Sequence, residues 1–443
     1  MSMRLSRDKI IILSYFSGVI LAGSALLMLP ISWMGPAPLH YIDALFTATS
    51  AVCVTGLITV DTVLYSIFGQ AVIAALIQAG GLGIITFATI YVAIPRKKIS
   101  LVNSRMIKDF YIDEVEYNPK KIIESILIVT FAVETLGFLL LYSRFGRLKD
   151  GAFIALFHSI SAFCNAGFST FSTNLEGYVG DPIVNITIML LIIAGGLGFI
   201  VFRDIAKTIL GRKRYLATHS RVALGMTAVL VVGGAAIFFF LEARHSLRGL
   251  PFGTQLLASF FMSVTPRTAG FDTVAPARLS DASTLLTMFL MFVGACPGST
   301  GGGVKTTTLF VLVMATLRGT DEKGRLAIGR RSISPQAVIK AVSIVGKGLL
   351  IVFTSTILIL LFERSVVATG AIGLVEVLYE VFSAFGTVGL SLGITSSLFS
   401  ASKLVLIATM FAGRIGLFTM SLPAREERIE RYVGLPETDI MVG

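Results

Sequence analysis

The chain has 443 residues, 54% of them hydrophobic and only 14% charged, with a formal net charge of +11. A soluble domain carries about a quarter charged residues, so this composition, with a mean hydropathy of +0.84, excludes a water-soluble globule and indicates a polytopic α-helical membrane protein. Nor does the positive charge describe a nucleic-acid surface, because it is confined to particular connections between apolar runs. Arg4, Arg7 and Lys9 precede the first run; Arg96, Lys97, Lys98, Arg105, Lys108, Lys120 and Lys121 fill one connection; Arg212, Lys213, Arg214 and Arg221 the next; Arg318, Lys323, Arg325, Arg330 and Arg331 a third; and Arg425, Arg428 and Arg431 the tail. This asymmetry is the positive-inside signal. It places both termini and these connections in the cytoplasm.

In chain order, the first unit covers residues 8–95. It holds an apolar run at 10–33, too long for a signal peptide, then a short apolar segment at 41–53 ending in "ATSAVCVTGL". The second unit, 119–212, has its short segment at 151–164, ending in "SISAFCNAGF", followed by an apolar run at 182–201. The third, 219–318, opens on an apolar run at 223–241 and has its segment at 252–265, ending in "VTPRTAGF". The fourth, 335–423, has its segment at 373–385, ending in "VFSAFGTVGL", and residues 424–443 form a cytoplasmic tail. Each segment is too short to span a bilayer and closes on a glycine (Gly56, Gly167, Gly270, Gly389), with about 110 residues from one to the next. The repeat predicts an all-α fold. Four helix–re-entrant helix–helix units run parallel around an axis along the membrane normal, giving eight spanning helices and a central pore.

Irregular backbone at membrane depth persists only where it is buried in protein or lines a water-filled cavity. Four equivalent glycine breaks can converge on one axis, where glycine permits the φ values that turn carbonyls inward. A carbonyl ring replaces the hydration shell of a monovalent cation, and the half-helix C-termini add negative dipole ends. The candidate oxygen donors are Val54, Thr55 and Gly56; Asn165, Ala166 and Gly167; Thr268, Ala269 and Gly270; and Thr387, Val388 and Gly389. With one glycine per segment, few well-formed ion sites and loose selectivity are expected. Taken singly, any of these glycines would read as helix packing; the repetition argues for the pore.

These segments, together with "GACPGSTGGGVKTT" at 294–307, resemble the Trk/Ktr/HKT superfamily of potassium transporters, and over the whole chain the compact plan is similar to the KtrB/KtrD-type membrane subunit of bacterial Ktr systems. Some sodium-selective members carry serine in the first filter position, whereas this chain has Gly56. The resemblance implies potassium uptake through a selectivity filter, stimulated by sodium, with no other cofactor. It implies a homodimer with one pore per protomer in the bacterial plasma membrane. It also implies a KtrA/KtrC-like cytosolic ring of nucleotide-binding subunits, which the basic loops could dock if they do not simply contact membrane lipid.

The run 296–305 has P-loop-like glycines, but Val304 intrudes before Lys305 and membrane helix flanks both sides, so it reads as a helix break. Cys296, Pro297, Gly298, Ser299, Thr300, Gly301, Gly302, Gly303, Lys305 and Arg414 form the candidate gate. The resemblance supplies an intramembrane loop at that place and an arginine near the pore. The bland reading of Arg414 is an ion pair, with Glu134 as one partner. Asp61 and Asp272 follow filter segments and either concentrate cations or are merely solvated; His158 reads as a packing or hydrogen-bonded residue. The "AGGLG" runs at 79–83 and 194–198 read as close-packing sites. Cys53, Cys164 and Cys296 form no C-x-x-C pair, and no cluster of His, Asp, Glu or Cys suggests an enzyme. The alternative reading is an alternating-access secondary transporter of cations, whose usual inverted repeats are missing here.

Overall fold

The computed structural model describes residues 7–93, 119–211, 214–319, 321, 324–328 and 331–416. Most of the first basic connection and the tail at 424–443 lie outside these residues. In chain order the helices are α1 (Arg7–Leu27), α2 (Tyr41–Cys53), α3 (Ile67–Ala93), α4 (Pro119–Phe145), α5 (Gly151–Phe163), α6 (Pro182–Leu197), α7 (Phe199–Ile209), α8 (Thr218–Glu242), α9 (Phe252–Val264), α10 (Asp281–Phe292), α11 (Thr306–Arg318), α12 (Pro335–Phe362), α13 (Arg364–Ala368), α14 (Leu374–Gly386) and α15 (Ser400–Phe411), which runs into a π turn at Ala412–Gly416. Between α11 and α12 a small antiparallel hairpin pairs Leu326–Ile328 with Arg331–Ile333, an element the sequence pattern did not suggest.

The first helix of each unit (α1, α4, α8, α12) contains a stretch long and apolar enough to cross a membrane, and only 28–33% of each stretch is buried. Most of each stretch therefore lies on the outside of the fold. The short helices α2, α5, α9 and α14 have 13 residues each, about 20 Å at 1.5 Å per residue, against a hydrocarbon core of about 30 Å. They occupy the interior, as shown in α2 by the complete burial of Phe46 through Cys53 despite Thr47, Thr49 and Ser50. Val54 ends α2 and Thr387 ends α14 in the same way: each takes a left-handed conformation (φ 57 and 51) and bonds its N–H back to the last turn.

Polar clasps join the second, third and fourth units each to itself. Asp181 caps α6 and pairs with Arg144 at 3.0 Å. Glu242 accepts Ser280 N–H at 2.9 Å, and Glu363 accepts Phe399 N–H at 2.7 Å. Lys403 on α15 bonds Asp43 on α2 at 3.0 Å, tying the fourth unit to the first.

The second unit's second helix departs from the straight span expected of it. The run expected at 182–201 bends by 97° between α6 and α7. The hinge is Gly198, at φ 82, where a Cβ would fall 2.8 Å from Pro297 O and 2.9 Å from Gly298 O; the helix turns aside because another backbone occupies its path. That backbone is residues 293–305, which divide the third unit's second helix into α10 and α11.

Candidate functional site

The four segments meet in a closed ring. Gly56, Gly167, Gly270 and Gly389 all have positive φ (95, 70, 78 and 99). A Cβ on Gly56 would lie under 3.0 Å from Ala166 O, one on Gly167 from Ala269 O, one on Gly270 from Val388 O, and one on Gly389 from Thr55 O. Each glycine therefore sits against the carbonyl preceding the next glycine, and the last returns to the first. Two residues before each glycine, Val54, Asn165, Thr268 and Thr387 are also left-handed (φ 57, 60, 74 and 51). That conformation costs a residue with a Cβ about 1–2 kcal/mol, so its recurrence four times marks a built feature.

Hydroxyls secure the segments to their half-helices. Ser50 Oγ accepts Gly56 N–H at 3.0 Å and Ser383 Oγ accepts Gly389 N–H at 3.0 Å. Ser161 Oγ donates to Phe168 O at 2.8 Å, and Thr265 Oγ1 donates to Phe271 O. Sequence reasoning passed over these four residues, although each of the four motif stretches carries a hydroxyl five or six residues before its glycine. Asn165 and Thr268 bond across two segments at 3.2 Å.

Directly against this ring lies the loop 293–305. Gly302 N–H donates to Thr387 Oγ1 at 3.0 Å, and a Cβ on Gly301 would collide with Thr268 Oγ1. Thr300 Oγ1 donates to Phe163 O at 3.3 Å, and Thr300 N–H to Gly195 O at 3.2 Å. Cys296 N–H donates to Gly196 O at 2.9 Å, and Ser299 Oγ to Cys296 O at 2.6 Å. Pro297 and Gly298 present their carbonyls to the Gly198 hinge, Gly298 O accepting Phe199 N–H at 3.2 Å. Gly303 is left-handed at φ 62. Lys305 Nζ donates to Gly301 O at 2.6 Å and Gly302 O at 3.3 Å. Arg414 bridges two units, donating to Thr300 O and, at 3.0 Å, to Gly80 O. The loop thus bonds to the second and fourth units, and two cations, the buried Arg414 and the half-buried Lys305, hold its freed carbonyls.

A ring of backbone carbonyls can take the place of a monovalent cation's hydration shell. Residues 2–432 match the TrkH family of cation transport proteins. The chain belongs to this family. It is 39% identical to the potassium/sodium uptake protein NtpJ of Enterococcus hirae, over 99% of this chain and 98% of that protein. It is 38% identical to the Ktr system potassium uptake protein B of Bacillus subtilis, over 99% and 97% respectively. Its fold resembles the crystal structure of the potassium transporter TrkH from Vibrio parahaemolyticus, with a TM-score of 0.72 at 21% identity, covering 95% of this chain and 85% of that one.

The remaining candidates in this TrkH-family chain fall away from the ring's own backbone. Arg414 makes no ion pair with Glu134, whose carboxylate instead accepts Gln78 Nε2 at 3.0 and 3.1 Å; Gln78 in turn accepts Cys164 Sγ–H at 3.2 Å. Cys53 and Cys164 hold the same position, three before their glycines, and are buried. The third unit places Arg267 there, 5% exposed, with Nη2 bonded to Thr227 Oγ1 at 3.4 Å; only its place in the motif could have marked it. His158 is a structural residue: Nδ1 donates to Ile154 O at 2.8 Å and Nε2 meets Ser169 Oγ at 3.0 Å. Asp61 caps a turn through Val63 N–H at 3.0 Å. Burial, and then the nearby Glu176, push the Asp272 carboxyl up to about 8, which weakens its case as a cation-concentrating charge.

Proposed function

We propose that this protein conducts potassium into the cell, channel-like, through the four-segment ring acting as a selectivity filter, with the loop 293–305 as its gate. The observation that carries this reading is the cyclic closure of Gly56, Gly167, Gly270 and Gly389 on one another's preceding carbonyls. The names of the relatives support potassium as the ion, and NtpJ's name includes sodium. The loop suits a gate because it lies against Thr268 and Thr387 of the ring, while Lys305 and Arg414 add positive charge that repels cations.

In this reading the protein is a homodimer in the cell membrane with cytoplasmic termini. Sodium stimulates uptake, and a cytosolic nucleotide-binding subunit shifts α10 and α11 to move the loop. Relatives named as parts of a Ktr system point to such a partner. Potassium and sodium uptake into proteoliposomes, with and without an imposed potential, tests the function. Saturable potassium uptake that follows the potential supports it, and uptake of neither ion by folded protein overturns it.

A further inference from the structure

Tyr379 on α14 is completely buried, and its hydroxyl has no hydrogen-bond partner. Two other buried oxygens without partners, Asp272 Oδ1 and Thr273 Oγ1, belong to the stretch just after Gly270. All three residues line one cavity of about 20 Å³, otherwise walled mainly by apolar side chains such as Phe261, Met262 and Leu279. The stretch is held from its other side by the second unit: Leu175 N–H donates to Asp272 O at 3.0 Å, and Asn174 Nδ2 to Gly270 O at 3.4 Å. The adjacent Glu380 is already engaged by Ser391 Oγ at 2.9 Å and by Thr395. Tyr379 thus brings a polar group of the fourth unit to the cavity beside the third filter segment.

We propose that Tyr379, Asp272 and Thr273 clasp a single water in this cavity, and that the clasp braces the third segment from behind and sets its ion discrimination. A space of this size holds one water, and a buried water needs two to four polar partners; three residues with unpartnered polar atoms line this one. Without an occupant, three buried polar atoms would be left unsatisfied, which costs stability. A carboxyl, a phenol and a hydroxyl offer the donors and acceptors a water takes up. The apolar walls disfavour a dehydrated ion, whose charge they cannot solvate. Tyr379 is a positioning residue: it touches no ion and acts through the backbone that follows Gly270.

The inference rests on the filter reading, and the experiment separates the two. Tyr379→Phe keeps the ring and removes the hydroxyl; Asp272→Asn keeps the size. Each should raise the apparent KM for potassium about fivefold, the scale of one hydrogen bond, and lower the preference for potassium over sodium. Maximal uptake should hold, and the double variant should be no worse than the worse single. An unchanged KM in either single variant, or effects that multiply in the double, overturns the brace. If the wild-type protein takes up no potassium, the filter reading fails on its own, and melting temperatures then judge the brace. Shifts that do not add in the double variant support it, and additive shifts overturn it.

Discussion

Replacing Gly389 with serine tests the ring where the backbone is least forgiving. The residue sits at φ 99, and an added Cβ would lie 2.9 Å from Gly56 Cα and 3.1 Å from Gly56 C, as well as against Thr55 O. All three neighbours are backbone and cannot rotate away. A left-handed conformation costs a side-chain-bearing residue about 1–2 kcal/mol, and overpacking about 1–3 kcal/mol, so the ring carries about 2–5 kcal/mol of strain. At about 1.4 kcal/mol per decade, even the lower figure corresponds to roughly a 30-fold loss of ion affinity. The assay is rubidium-tracer uptake into proteoliposomes over a range of potassium and sodium concentrations, with thermal melts to confirm folding. Gly389→Ser should raise the apparent KM for potassium at least that far or abolish the preference over sodium. Gly177→Ser, where a Cβ meets nothing within 4 Å, should be silent. Unchanged potassium kinetics in Gly389→Ser, and equally in Gly56→Ser, Gly167→Ser and Gly270→Ser, would refute the filter.

Deleting Gly301 to Gly303 removes the part of the loop lying against Thr268 and Thr387; it should raise potassium flux and weaken dependence on a cytosolic partner, and unchanged or lower flux from folded protein means the loop is no barrier. Gly80→Ala would put a Cβ 2.7 Å from Val52 C and 2.9 Å from Val52 Cα; it should destabilise the protein by about 1–3 kcal/mol, read as a lower melting temperature, whereas Gly225→Ala, in open space, should leave it unchanged. A cysteine replacing Lys149 should label with an impermeant reagent from outside, and labelling only from the cytoplasmic side would invert the topology.

The half-helices were legible because two independent signals coincide: an apolar length too short to span, and a glycine that ends it. Expected at 41–53 and 151–164, they appear as Tyr41–Cys53 and Gly151–Phe163. The close-packing role of the "AGGLG" runs was legible for a similar reason, since only the lack of a side chain lets Gly80 and Gly195 rest on Val52 O and Phe163 O. The bend at Gly198 was not, because its cause is the Pro297–Gly298 backbone, about a hundred residues away in sequence. The partner of Glu134 was hidden likewise: charge alone nominated Arg414, but geometry supplied Gln78. Arg414 found carbonyls instead, which hydropathy does not record.

Why an arginine stands beside the loop follows from the register of the second helices. Ala79-Gly80-Gly81, Ala194-Gly195-Gly196 and Ala412-Gly413-Arg414 are equivalent, because Gly80, Gly195 and Gly413 each lie against the carbonyl four residues before their own ring glycine, at Val52, Phe163 and Phe385. The next position faces the space beside the loop: a Cβ on Gly81 would lie 2.9 Å from Cys164 Sγ and 3.9 Å from Thr300 Cγ2, and one on Gly196 would lie 3.7 Å from Ala295 Cβ. Where two units place a glycine against these neighbours, the fourth places a guanidinium that reaches Thr300 O and Gly80 O. A broken helix leaves carbonyls that need donors at membrane depth, and Lys305 serves Gly301 O and Gly302 O in the same way. In the proposed gate, the two cations that satisfy the loop would also be the charges a passing cation meets. Opening such a gate must therefore break these bonds and displace these charges together, which ties the stability of the closed loop to the height of its barrier.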